Sequence, residues 1–489
     1  MNMYWKSLWF KRIRSFLDCA VLVLVFGALA FIRQPQFTMV EYIPVGVFIV
    51  SALILFQGFE LYYVIPLSNK EIVISLILSY IYANILMLFA GFLPIYTMDY
   101  SPLNIVNLLG GLISFVLISI LHLVHKYYLE HRKNKPRLLM LDKKGGDLSR
   151  LKHLRYANTS AYDAWYEQID LEDADAVTES IKAIMPRFDS ICLLEGITSG
   201  PQRQYIRAAM DYGKELFVVP GLFNMLYSHI RLVRFDDVLS FHMYPYSLSR
   251  TQAFSKRSFD LFAASCLFLV ACIPMLIIAI AVRLTSPGPV FYTQERVTAQ
   301  KKRFHIFKFR TMAADAEQKS GPVFASKNDP RITKTGGFLR KSRLDELPQL
   351  FNIFAGHMSL VGPRPERPFF VEQFEKEIDN YTYRFAVKAG LTSLSHVYGK
   401  YSTDIKDRTR YDLMYISNYS LLNDLKILLQ TSRVIFLPSA SEGVEVKVSS
   451  NTVDQMEIAQ QNEVVVPDID TDDYEEPQLV SAGQHTEAQ

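Results

Sequence analysis

Arg340-Lys-Ser-Arg-Leu-Asp-Glu-Leu-Pro-Gln-Leu-Phe-Asn-Ile-Phe-Ala-Gly-His-Met-Ser-Leu-Val-Gly-Pro-Arg-Pro365 is the stretch on which the reading of this chain turns. Two adjacent carboxylates, Asp345 and Glu346, follow three cations, Arg340, Lys341 and Arg343. Gly362-Pro-Arg-Pro365 is too rigid for ordinary helix or strand, so it reads as a turn. Such a turn can fix the Arg364 guanidinium, which pairs well with phosphate oxygens. Cations beside carboxylates suit a polyanionic substrate with a bound divalent metal, the needs of phosphoryl transfer. An amphipathic helix with a solvated charged face, followed by a plain turn, fits the spacing as well.

The pattern Arg-x-x-x-Leu-Asp-Glu-Leu-Pro-Gln-Leu-Phe-Asn, starting at Arg340, is followed from Gly356 by Gly-x-Met-Ser-x-Val-Gly-Pro-Arg-Pro. Together they resemble the bacterial sugar transferase family. These are monotopic polyprenyl-phosphate hexose-1-phosphate transferases, among them undecaprenyl-phosphate glucose and galactose phosphotransferases, which begin capsule, exopolysaccharide and O-antigen synthesis. The likeness runs from about Lys256 to about Leu437. It implies that Asp345 attacks the sugar-bearing phosphorus of a UDP-sugar, expels UMP and holds an acyl phosphate until undecaprenyl phosphate takes it. It also implies that Glu346 helps bind Mg²⁺ (or Mn²⁺), with Arg340 and Arg364, joined by Lys308 and Arg310, neutralising the leaving phosphate.

Outward from that stretch, Phe304-His-Ile-Phe-Lys-Phe-Arg-Thr-Met312 alternates as a strand with Lys308 and Arg310 on one face, placed to clamp a diphosphate or to meet anionic lipid. After Pro365 a helix is expected over Pro368–Tyr383. The segment Arg384–Gly399 departs from the family pattern, with Ala389 for a proline, Ser393 for a glycine and His396 for a glutamine, so no nucleotide contact is carried over to it. Helices are expected at Arg408–Tyr419 and Leu421–Leu437, the second apolar enough to lie on a membrane surface. Asp412 matches a family segment with an acidic residue near the site, and is otherwise a surface carboxylate.

Upstream lies an apolar run, Leu261–Val282, with Pro274 inside it and basic residues beyond both ends. A crossing would put one basic cluster outside, against the positive-inside tendency, so a re-entrant helix broken at Pro274 is expected over a fifth span. Earlier still, four apolar runs (Phe16–Ile32, Tyr42–Pro66, Ile72–Tyr96 and Ile105–Val124) have lengths that suit membrane spans. Lys and Arg cluster before the first and after the fourth, which puts both ends of the bundle in the cytoplasm. Trp5, Trp9, Tyr4, Tyr127 and Tyr128 read as interfacial anchors. No charge cluster inside the membrane suggests a channel or pump; Glu60, near the end of the second run, is the nearest exception. The first run is too long for a cleavable signal peptide.

Between these parts, strands at Arg137–Leu141, Ser190–Leu194 and Leu216–Val219 alternate with helices at Asp173–Ile184 and Gln202–Tyr212, which implies a small parallel sheet. Gly145-Gly146 lacks the rest of a dinucleotide fingerprint, so a regulatory or packing role is expected.

The whole chain of 489 residues carries a net charge of only +3 and four cysteines, with no metal-ligand spacing among Cys and His. Those cysteines read as small buried hydrophobes. The expected fold class is membrane α plus α/β: a four-helix transmembrane bundle (1–135), a Rossmann-like cytoplasmic module (136–250), an α/β catalytic domain (251–437) with a re-entrant helix (261–282), and an acidic disordered tail (438–489). Expected partners are the UDP-sugar, undecaprenyl phosphate and membrane lipids at the inner membrane, with no nucleic acid; a homo-oligomer is left open. A glycosyltransferase releasing UDP and a non-catalytic scaffold remain as other classes.

Overall fold

A run of some twenty apolar residues has no favourable place in water, and here such runs become helices. In this computed structural model the described residues are 3–32, 42–62, 67–91, 105–132, 134–143, 162–169, 174–194, 200–226, 230–235, 238–243, 246–312, 331–399 and 404–437. The acidic tail, Gly145-Gly146 and the lead-in around Asn328 lie outside them, as do the side chains of Tyr4, Trp5 and Trp9. The chain is helix-rich, with four apolar helices and small sheets.

The N-terminal helices are α1 (Met3–Ile32), α2 (Tyr42–Gly58), α3 (Asn69–Gly91) and α4 (Ile105–His131). Three of them are long and apolar enough to cross a membrane. The second, expected over Tyr42–Pro66, is a helix of only 17 residues. Leu22, Phe26, Phe48, Phe56, Leu76, Met87 and Ile118 interlock as their common core. Tyr127 and Tyr128 are exposed. One buried polar cluster joins these helices. Arg14 Nη2 donates to His122 Nδ1 at 2.7 Å, and His122 Nε2 lies 2.9 Å from Asp18 Oδ2, which also accepts from the Tyr62 hydroxyl at 2.8 Å. Residues a hundred positions apart make this cluster, so no local pattern announces it.

The middle segment folds around a parallel sheet of order β2-β1-β3-β4, with β1 at Arg137–Lys143, β2 at Asp163–Ile169, β3 at Ser190–Leu193 and β4 at Glu215–Val218. Helices α5 (Ala174–Ile184) and α6 (Gly200–Asp211) cover it, burying Val177, Met185 and Tyr205 against Leu139, Ile191 and Leu193. Gly213, at φ 63, ends the second helix, as its left-handed conformation allows. Strand β2 and the hairpin β5 (Ile230–Phe235) with β6 (Val238–Met243) were not expected. The short helix α7 (Leu222–Leu226) brings Leu222 against Val297, Val371 and Tyr381 of the next segment.

Helix α8 (Arg250–Thr285) runs 36 residues without interruption, opened by a Ser249–Gln252 capping box. The break expected at Pro274 is absent. The backbone bond that proline removes would reach Val270, and both residues lie on the exposed outer face of the helix. Lys256, Asp260, Ala264, Ala271, Met275, Ile278 and Val282 form a buried stripe along its whole length, while Phe262, Leu269, Val270, Ile273, Leu276, Ile277 and Leu284 face outward. Cys266 is exposed on this outer face and no cysteine is fully buried, contrary to expectation. The flanking cations do more than set orientation: Lys256 pairs with Asp424 at 2.7 Å, and Arg257 donates to the carbonyls of Ile353 and Phe354.

The antiparallel hairpin of β7 (Phe291–Val297) and β8 (Arg303–Phe309) leads to α9 (Lys334–Lys341), a 3₁₀ turn at Leu344–Glu346, and α10 (Gln349–Phe354). Strand β9 (Ser359–Val361) pairs in parallel with β10 (Gly390–Thr392). Between them lie α11 (Pro368–Glu377), shorter than expected, and a 3₁₀ segment at Tyr381–Ala386. Then follow α12 (Leu394–Tyr398), α13 (Ile405–Ser417) and α14 (Leu421–Ile435). Helix α14 buries Asp424, Ile427, Gln430, Arg433 and Val434 on one side and leaves Leu421, Leu422 and Leu425 exposed on the other, while Leu429 packs on the core of the N-terminal helices.

Candidate active site

Local geometry puts Asp345 and Glu346 on show. Helix α9 ends at Ser342, and Arg343 takes a left-handed conformation, φ 57 and ψ 14, that redirects the chain into the 3₁₀ turn carrying both acids. Helix α10 then fixes the turn from behind: the Asn352 amide donates to the His305 carbonyl at 2.7 Å and accepts from Phe307 N at 3.0 Å. That two-point contact on β8 brings the next residue, Lys308, to the acids.

Glu346 is the charge hub. Lys308 Nζ donates to its Oε1 at 2.8 Å, and Arg364 Nη2 reaches the same oxygen at 3.3 Å. Burial alone would raise its pKa, but Lys308, Arg364 and Arg343 outweigh that and hold the carboxylate well below its ordinary range. Asp345 is 8% exposed, and its Oδ1 is enclosed with no hydrogen-bond partner among the described residues. Burial, and then the charge of Glu346, push it up to about 6 against the pull of Lys308, Arg340 and Arg343. One acid is therefore engaged by two cations, and the other keeps an enclosed oxygen without a hydrogen bond among the described residues.

Arg364 stands on a braced platform. Four consecutive carbonyls of its turn are held: Pro363 by Gly390 N at 2.9 Å, Arg364 by Arg384 Nη2 at 2.9 Å, Pro365 by Arg296 Nη1 at 3.0 Å, and Glu366 by Val297 N at 3.1 Å. Gly362 and Gly390 allow the approach, since a Cβ on Gly390 would lie 2.1 Å from Gly362 N. Arg384 is itself buried. Burial would lower its pKa, but Tyr381, Asp412 and Glu366 outweigh it and keep the guanidinium charged.

The expected site residues thus divide. Asp345, Glu346, Lys308 and Arg364 come together, and half-buried Arg340 contributes its charge to Asp345. Arg310 does not join them: it is buried, and its guanidinium donates to the carbonyls of Ser286 and Pro287 at 2.7 and 2.8 Å, bracing the loop before β7. Asp412 is neither a surface carboxylate nor part of the cluster. It is 1% exposed and pairs with Arg384 Nη2 at 2.7 Å, one layer behind the turn. Pro274 lies outside the site, on the outer face of α8.

Three contributors were not assigned roles from the sequence. Arg343 stood in plain view beside the acids. Arg384 gives no local signal, because its partner carbonyl is 20 residues away. His396 was visible only as a departure from the family pattern. Its Nδ1 is enclosed without a partner among the described residues. Burial, together with Arg364 and Arg343, lowers its pKa to about 3, so the ring is neutral. The other departures also have local reasons. Ala389 N donates to the Thr298 hydroxyl at 3.1 Å, a bond proline would lack, and Ser393 caps α12 through His396 N.

Among the described residues no group of three His, Cys, Asp or Glu side chains is placed to hold a metal by itself. Two carboxylates, one with an unengaged buried oxygen, match the way Mg²⁺ is taken: one or two carboxylates, with substrate phosphates and water completing its shell.

Comparison with known proteins places the likeness on this part of the chain. A family model described as bacterial sugar transferase matches residues 251–438. A UDP-N-acetylgalactosamine-undecaprenyl-phosphate N-acetylgalactosaminephosphotransferase of Aeromonas hydrophila is 42% identical over 186 residues, 37% of this chain and 44% of the relative. A UDP-glucose:undecaprenyl-phosphate glucose-1-phosphate transferase of Escherichia coli K12 is 35% identical over 234 residues, 47% of this chain and 50% of the relative. A Bacillus subtilis protein, provisionally named an undecaprenyl-phosphate N-acetylgalactosaminyl 1-phosphate transferase, is 50% identical over 130 residues, 26% of this chain and 72% of the relative. The chain spans about half the length of the first two relatives.

Proposed function

The chain belongs to the bacterial sugar transferase family, and from that premise we propose that it moves a hexose 1-phosphate from a UDP-sugar to undecaprenyl phosphate, releasing UMP, as a first step of exopolysaccharide or capsule assembly. The observation that carries the reading is the asymmetric pair: Asp345 with an uncommitted, enclosed oxygen, beside Glu346 held by Lys308 and Arg364.

In the first step an Asp345 oxygen attacks the sugar-bearing phosphorus. The bond from that phosphorus to the bridging oxygen breaks, and UMP leaves with the electron pair. In the second step a phosphate oxygen of the lipid attacks the same phosphorus, and the bond to Asp345 breaks, restoring the carboxylate. Lys308, Arg340, Arg343 and Arg364 face the charge that gathers on the departing phosphate. Asp345 and Glu346 would hold Mg²⁺ (or Mn²⁺), which when bound neutralises diphosphate charge. Glu346 keeps Lys308 and Arg364 pre-oriented, so little reorganisation accompanies the reaction.

The membrane completes the geometry. One substrate is soluble and the other is confined to the bilayer. Helix α8 presents an apolar outer face while both its halves pack on the same polar domain, which suits shallow entry from the cytoplasmic face of the inner membrane with both ends on one side.

Product analysis tests the reading. The full chain, in membranes with undecaprenyl phosphate and Mg²⁺, is given UDP-glucose, UDP-galactose and UDP-N-acetylgalactosamine in turn. UMP with a lipid-linked diphosphate sugar is the expected outcome and names the donor. UDP release would make the protein a glycosyltransferase and remove the role of Asp345.

A further inference from the structure

Helix α2 ends at Gly58, and the residues that follow are gripped from two sides. From the N-terminal helices, the Tyr62 hydroxyl donates to Asp18 Oδ2 at 2.8 Å, within the cluster that includes His122 and Arg14. From the transferase segment four side chains reach back. The Tyr398 hydroxyl donates to Glu60 Oε1 at 2.6 Å, and Lys426 Nζ lies 2.6 Å from the same oxygen. Gln430 Nε2 donates to the Gly58 carbonyl at 3.2 Å, and Arg433 Nη1 to the Phe59 carbonyl at 3.0 Å. Glu60 adopts φ 60 and is 7% exposed. A left-handed, nearly buried glutamate is costly in backbone and solvation alike, and it persists only where its surroundings hold it.

Tyr398 closes the five-residue helix α12, which packs Leu394 and Val397 into the core and carries Ser395 and His396 beside the candidate site. Ser395 Oγ lies 3.5 Å from Asp412 Oδ1, the partner of the Arg384 that holds the Arg364 carbonyl. His396 feels the charges of Arg364, Arg343, Glu346 and Lys308. One turn of helix is too short to move at one end and stay fixed at the other. Anchoring Tyr398 therefore fixes His396 and Ser395 as well.

We infer that Glu60 is a positioning residue: through Tyr398 it holds α12, and with it His396, in register with Arg364 and Glu346, so that the N-terminal helices set the geometry of the transfer site. The kinetic part of this inference rests on the transfer reaction proposed above; the structural part does not.

The test uses the full chain in lipid nanodiscs, with undecaprenyl phosphate and the UDP-sugar the wild type accepts. Glu60→Ala and Tyr398→Phe are each expected to lower kcat/KM about tenfold, the scale of coupling carried by contacts outside a site. The double variant should be no worse than the weaker single one. Glu60→Gln, whose amide oxygen still accepts the tyrosine hydrogen bond, should recover most of the activity. In parallel, hydrogen exchange at the amides of 395–399 should quicken in Glu60→Ala and in Tyr398→Phe, with the thermal midpoint of Tyr398→Phe kept. Unchanged exchange in both variants overturns the inference, and so does wild-type kcat/KM in either. An inactive wild type would remove the proposed reaction while leaving the exchange result to decide whether Glu60 holds α12.

Discussion

Asp345 and Glu346 are neighbours in the chain, yet their surroundings drive them apart, one held ionised by three cations and the other raised to about 6. Because attack needs the Asp345 carboxylate, and the raised group is protonated below its pKa, turnover should fall as pH drops through about 6. A pH profile of UMP release checks this. Asp345→Asn should abolish release while leaving the protein folded and membrane-bound, by thermal midpoint and flotation. EDTA should stop turnover and added Mg²⁺ or Mn²⁺ should restore it; activity that survives chelation would remove the metal role. Arg343 invites a variant that separates strain from charge. Its left-handed backbone costs about 1 kcal/mol for any residue but glycine. Arg343→Gly should therefore keep its thermal midpoint while losing transfer activity, because the cation acting on both acids is gone. At this scale the acid pair and Arg364 were legible, since chemistry-bearing residues stood side by side. Arg310 and Asp412 were misplaced because a charge in a sequence does not say whether a carbonyl or another charge is waiting for it.

Among elements, the turn running from Gly362 to Glu366 matters most, and four donors hold its carbonyls from Pro363 to Glu366. Arg384 is one of them, and its buried charge depends on Asp412. Removing one partner of a buried pair costs about 3–5 kcal/mol, so Asp412→Asn should lower the thermal midpoint sharply and weaken donor binding together. Denaturation curves read beside donor KM check both. Regular elements with a strong period were readable: β8, α5, α6 and α13 fall close to where they were expected. Strand β2 and the β5–β6 hairpin were missed because neither shows clear alternation, and α11 ends early because Ile378 turns extended. The proline in α8 misled for a physical reason. A missing hydrogen bond breaks a helix only when nothing holds its two halves, and here a continuous buried stripe does.

For the whole molecule, the question is which way α8 meets the bilayer. If both its ends lie on one side, single cysteines placed at exposed Arg250 and Thr285 in a cysteine-free background should both react with an impermeant maleimide from the same face of sealed vesicles. Reaction from opposite faces would make α8 a span. The succession of apolar runs, a parallel-sheet segment and a transferase segment was legible from hydropathy and motif. The joints between them were not, because they rest on single side chains such as Glu60 and Arg433, whose partners are 338 and 374 positions away.

The stripe on α8 also makes that helix a dial as well as an anchor. Each residue turns the helix by about 100°, so a one-residue change between Lys256 and Met275 would rotate everything downstream: a deletion would present Leu276 and Ala279 to the domain in place of Met275 and Ile278, and an insertion Pro274 and Ile277. A change of about seven residues is the shortest that brings the face back to within about 20° of its starting angle. Natural length variation in this segment should therefore come in steps of that size, and a designed shorter helix for a thinner bilayer would need to respect the same increment.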